Sequence, residues 1–191
     1  MQISGGAGQA LSQVRVRRRV LPIVALVALA FAGCGGDSKK DDEAAAAAKA
    51  KAVAAAAFKK GAKAATAETT KIGNDLGTAI QGANKETDAA LAATFTSLAT
   101  RARAVVADLN ELETPQESRA EVTALVGALS TGAQDIDAIA TAARAHDARS
   151  ARSATETLVR DSPAIKAARE ALEAEIGSSG AGTKTTASTT Y

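Results

Sequence analysis

The chain has one cysteine, Cys34, and one histidine, His146. A thiolate can attack carbon, bind a metal or accept an acyl group, and an imidazole can relay protons. Neither has a partner in the sequence for metal work. A zinc set needs three or four Cys, His or carboxylate ligands. A di-iron bundle needs two Glu-x-x-His motifs, and covalent haem needs Cys-x-x-Cys-His. His146 stands where a helical pattern ends, a place that suits a surface or capping role.

The carboxylates lead no further. Asp135 and Asp137 are two residues apart and so point to different sides of a helix. Glu170 and Glu173 share a face, but each has a cation four residues earlier, Lys166 and Arg169. Those are the ion pairs of an exposed helix. Asp75 lies in Ile72-Gly73-Asn74-Asp75-Leu76-Gly77. The glycines there predict a kink, a loop or a close helix contact rather than a site. Neither a Gly-x-Ser-x-Gly elbow nor a Gly-x-x-x-x-Gly-Lys phosphate loop occurs. Arg144, Arg149 and Arg152 cluster near one predicted junction. They could meet an anionic partner such as a cell-wall polymer, and a solvated basic helix end is the competing reading. The expectation is a protein that is not an enzyme, with no catalytic, cofactor-binding or metal-binding residue.

Cys34 gains meaning from what precedes it. Residues 15–19 read Arg-Val-Arg-Arg-Arg, and an apolar run from Val20 to Ala32 follows, broken only by Pro22. A basic stretch, a short apolar stretch and small residues at a cut site form a secretory signal. The run is shorter than the ~20 residues a spanning helix needs. With Phe31-Ala32-Gly33-Cys34, the chain resembles bacterial lipoproteins, whose lipobox places a small residue before an obligatory cysteine. Phe31 departs from that pattern, which usually has Leu or another aliphatic residue there. The resemblance covers about 40 residues of sequence and implies that the Cys34 thiol carries diacylglycerol. It also implies that the mature chain begins at Cys34, anchored to the extracytoplasmic side of the cell membrane. Ala30-Phe31-Ala32 would also serve an ordinary signal peptidase, the lesser reading, and Arg17-Arg18-Arg19 partly resembles a twin-arginine signal.

Charge fits an exported chain. Four of the 23 basic residues precede Cys34 and none of the 21 acidic ones does, leaving 19 against 21. A mature chain so close to neutral has no electrostatic footprint for nucleic acid. The expected partners are the membrane, through the lipid, and an envelope protein or cell-wall polymer.

The elements that would position these residues are helices. Alanine dominates the apolar fraction of 46%, aromatics are only 2%, and prolines stand only at Pro22, Pro115 and Pro163. Alanine loses no side-chain entropy in a helix, whereas strands want β-branched and aromatic residues. Four stripes with alternating steps of four and three residues follow. They are Phe58 to Ala79, Leu91 to Leu112, Val122 to Ala143, and a looser run from Leu158 to Ile176. The predicted fold is all-α: an antiparallel up-down four-helix bundle with alanine-rich packing, its fourth helix kinked at Pro163 or broken there.

The predicted organisation is a signal over 1–33, a lipid-anchored leader and Ala-rich stalk over 34–57, a bundle over 58–177, and a disordered tail over 178–191. Thr114-Pro115-Gln116-Glu117 predicts a capping box opening the third helix. Small residues in the stripes predict close helix axes and little interior room for a ligand.

Overall fold

The computed structural model describes residues 38–178, with side chains from Glu43 onward. Cys34, the signal region and the tail from Ser179 lie outside the described residues. Four helices make the fold: α1 (Ser38–Gly82), α2 (Asp88–Glu111), α3 (Arg119–Arg144) and α4 (Ala148–Ser178). Two 3-10 turns, Ala83–Lys85 and Gln116–Ser118, join the first three. Among the described residues there is no strand, and the helices pack as an all-α four-helix bundle.

The stripes are the core. Phe58, Ala62, Ala65 and Ile72 of α1 are buried, as are Phe95, Leu98, Ala102, Val105 and Leu109 of α2. So are Val122, Leu125, Leu129, Ile136 and Ile139 of α3, and Leu158 and Leu172 of α4. Each large aliphatic side chain removed from water contributes about 1.5–3 kcal/mol. The thinner stripe of α4 leaves Ile165, Ala168 and Ile176 only partly covered.

Small residues lie at the helix contacts. Ala62, Ala99 and Ala140 are wholly buried. A Cβ added to Gly132 would stand 2.6 Å from Ile165 Cδ1, and one on Gly61 would collide with the Leu112 side chain. Along successive helices, partner numbers fall as residue numbers rise. Gly61 faces Leu112, while Glu68 and Asp75 meet Arg101. Asp88 meets His146, Thr96 meets Arg144, and Arg103 meets Asp137.

Helix ends explain two departures from the sequence reading. Thr114 does not cap α3: its hydroxyl donates to the Leu112 carbonyl at 3.2 Å. Pro115 has an extended ψ of 150°, so it precedes a 3-10 turn instead of filling the first α-helical position. Ser118 is buried at that turn, Glu117 is exposed, and α3 starts only at Arg119. At the other departure, α1 is helical from Ser38, where a flexible leader was expected through Glu43. The side chains from Glu43 to Val53 are exposed, so α1 runs on beyond the packed bundle.

Helix α4 passes through Pro163 as one element, without the alternative division into two helices. Proline has no N–H to give to the carbonyl four residues back. The adjacent Ser162 hydroxyl donates to the Leu158 carbonyl at 2.6 Å.

Candidate functional site

The most developed concavity lies where α4 meets α1. Its α1 wall is Thr69, Thr70, Ile72, Gly73, Asn74 and Leu76. Leu158, Val159, Ser162, Pro163, Ile165, Lys166 and Arg169 form the α4 wall. Ala102 of α2 and Leu129, Gly132, Ala133 and Ile136 of α3 complete the lining. The cavity is about 610 Å³, within the ~300–1,000 Å³ range of ligand pockets. This corrects the expectation, drawn from the small residues of the stripes, of little room for a ligand. The cavity arises at the side of the bundle, where the sparse apolar stripe of α4 leaves ground uncovered.

The lining has little polarity to offer. The Thr69 hydroxyl donates to the Ala65 carbonyl at 2.8 Å, and Thr70 donates to Thr66 at 3.0 Å. With Ser162 bonded in the same way, the groove's three hydroxyl protons are spent on their own helices. Val159 keeps 60% of its surface exposed at this groove, unusual for a large aliphatic side chain. A Cβ built on Gly73 would meet nothing within 4 Å. That corrects the expected loop or close contact, because α1 runs helically past Gly73 and the glycine faces open space.

Two cations, Lys166 and Arg169, line the groove, and no carboxylate does. Arg169 is fixed, donating to Glu173 Oε1 at 2.7 Å and to Glu170 Oε1 at 3.4 Å. Lys166 is looser, with Nζ 3.9 Å from Glu170 Oε1 and a side chain 71% exposed. These are the i,i+4 pairs expected from the sequence, now seen at the edge of a concave surface.

The other residues singled out from the sequence do not converge on this groove. Asp75 belongs to a clamp between helices. Arg101 Nη1 donates to Asp75 Oδ2 at 2.5 Å, while its Nε and Nη2 donate to Glu68 Oε1 at 2.9 and 2.7 Å. These bonds, Asp75 foremost, raise the guanidinium pKa further above its ordinary value. Asp137 pairs with Arg103 of α2, while Asp135 faces Asp161 and Arg160 of α4. Asp135 Oδ2 is buried without a hydrogen-bond partner. Burial first, and then the Asp161 carboxylate, push the Asp135 carboxyl up from its ordinary value.

His146 completes the turn between α3 and α4. Its φ is +55°, a left-handed conformation in which its own N–H reaches the Ala143 carbonyl at 3.1 Å. The Asp147 N–H bonds the Ala142 carbonyl at 3.0 Å, closing a Schellman-type cap. Across the junction, His146 Nδ1 lies 2.6 Å from Asp88 Oδ2. Asp147 then caps α4, accepting from the Arg149 and Ser150 N–H groups at 3.1 and 3.0 Å. The Ser150 hydroxyl adds a bond at 2.7 Å and is the first cause holding the Asp147 carboxyl below its ordinary range. Of the three arginines near this junction, Arg149 and Arg152 share one surface of α4 and Arg144 is turned to α2. Arg144 donates to the Thr96 hydroxyl at 2.5 Å, while Arg149 and Arg152 are exposed on the first turns of α4.

Among the described residues, no three His, Cys, Asp or Glu side chains form a metal-ligand set. No described helix is long and apolar enough to cross a membrane. Comparison with known protein families, with curated proteins and with solved structures finds no match.

Proposed function

We propose that this protein is a lipid-anchored binding module of the cell envelope. Cys34 carries the lipid on the extracytoplasmic side of the cell membrane, and the bundle acts without covalent chemistry. The observation that carries the binding role is the open apolar groove between α1 and α4. An open, largely apolar groove of about 610 Å³ suits a ligand-binding or accessory protein working with an envelope complex.

Support for the anchor is the order of basic run, apolar run, small residues and cysteine before the first helix. Support for an antiparallel up-down course is the falling order of partners along successive helices. In that arrangement the start of α1 and the end of α4 lie toward the membrane. Thirty residues of α1 separate Lys39 from Thr69 at the groove, about 45 Å of helix at 1.5 Å per residue. The long helix then serves as a spacer that lifts the groove clear of the headgroups.

A photoreactive amino acid at position 73, in the full chain in its native membrane, tests the binding role. Irradiation is expected to give an adduct at position 73, and none when the same amino acid replaces exposed Ala104, outside the groove. Equal labelling at both positions, or none at 73, would remove the groove from the account.

A further inference from the structure

We infer that the groove takes the hydrocarbon chain of a single-chain anionic amphiphile, with its head group on Lys166. The inference rests on the groove being a binding surface and goes on to name the occupant. Three observations select this chemistry.

The first is an apolar depth: the groove's remaining polar groups, the Asn74 amide and the Val159 carbonyl that Pro163 cannot bond, belong to the α1 and α4 walls. The floor is Ala102, Leu129, Gly132, Ala133 and Ile136, which carry no polar side chain and lie within the α2 and α3 helices. The hydroxyl protons of Thr69, Thr70 and Ser162 are already given to carbonyls. A peptide or sugar would bury polar groups against this lining and leave them unpaired, at a cost of about 1–3 kcal/mol each. A hydrocarbon chain buries nothing polar and gains about 0.8 kcal/mol per CH₂.

The second is the sign of the charge. The groove's titratable residues are Lys166 and Arg169, both cations. Arg169 is held by two glutamates, whereas Lys166 is largely exposed and only loosely paired, so its ammonium is free to swing toward a head group. Lysine is suited to this, with an apolar stem that can lie along the groove while its charge stays in water.

The third is reach. An acyl chain spans half a hydrocarbon core, about 15 Å of the ~30 Å total. A lipid attached near the start of α1 therefore falls well short of a groove about 45 Å along that helix. The occupant is a separate molecule, not the anchor.

The test uses the full chain in its membrane, irradiated with a photoactivatable diazirine analogue of palmitate and mapped by peptide mass spectrometry. Labels are expected on peptides that contain Ile72–Leu76 or Val159–Lys166. Unmodified palmitate should compete them away. Gly73→Leu should reduce them, because the new side chain enters open space rather than the protein. Lys166→Glu, at a position whose side chain is largely exposed, should weaken labelling by roughly five- to tenfold, the loss of one attraction and the gain of one repulsion. A neutral diazirine hexadecanol should label more weakly than the palmitate analogue.

Equal labelling by the neutral analogue, or indifference to Lys166→Glu, would overturn the anionic head group. No label in the groove would overturn the amphiphile altogether. If position 73 still captured a protein in that case, the binding module would stand and this occupant would not.

Discussion

At the scale of single residues, two aspartates carry opposite pH signatures. Burial and Asp161 raise the folded-state pKa of Asp135. The folded chain therefore binds that proton more tightly than the unfolded chain does. Asp135 favours folding as pH falls through the range just above its ordinary 3.8, and its ionised form opposes folding at neutral pH. Asp147 behaves in the reverse sense. Ser150 lowers its pKa, so its contribution is present above 3.8 and is lost as pH falls through its folded-state value. Asp135→Asn is expected to raise the thermal midpoint at pH 7, and that gain should vanish at pH 3. Asp147→Asn should lower the midpoint at pH 7. Calorimetric scans of both variants at the two pH values check the signs, and a fall in the midpoint of Asp135→Asn at pH 7 would contradict this account.

At the scale of elements, Pro163 is the sharpest case. It sits inside a 31-residue helix, removes one backbone hydrogen bond and lines the groove. Its ring is exposed, so no packing compensates for it. Pro163→Ala is expected to stabilise the protein by up to about 3 kcal/mol, the propensity difference inside a helix. Chemical denaturation measures it directly, and a loss of stability would show that the proline ring is needed for packing at the groove.

The helices themselves were legible in the sequence because a 3.5-residue period marks a buried face whatever the neighbours are. All seven positions of the Val122–Ala143 stripe are buried. The groove was not legible, because periodicity tells which face turns inward and not how far apart two helices stand. Gly73 shows the limit. Its glycine suggested a break, yet a cost of about 1 kcal/mol relative to alanine is small within a 45-residue helix held by its neighbours. The capping box at Thr114 failed for a similar reason. Local residue types matched the motif, but the extended backbone at Leu112 and Pro115 set a different path into α3.

At the scale of the whole molecule, the proposed function assigns three successive parts to the chain: an anchor signal, a long helix and a bundle with an open apolar groove. The division of labour follows from their chemistry. A lone cysteine used for acylation leaves no thiol for anything else. A helix whose side chains are exposed from Glu43 to Val53 is unsupported by packing there and suits a spacer. The bundle keeps its ion pairs on the surface, where each contributes about 0–1 kcal/mol. Its stability therefore comes from the buried stripes. Anchoring is the claim on which this arrangement turns, since a spacer has meaning only if its far end is held.

The intact mass of the protein recovered from the membrane fraction tests that claim most directly. The account predicts a chain that begins at Cys34 and carries the added mass of a diacylglycerol group, with or without a further acyl chain. An unmodified chain, or one that begins at Gly33 or at any other residue, would contradict it.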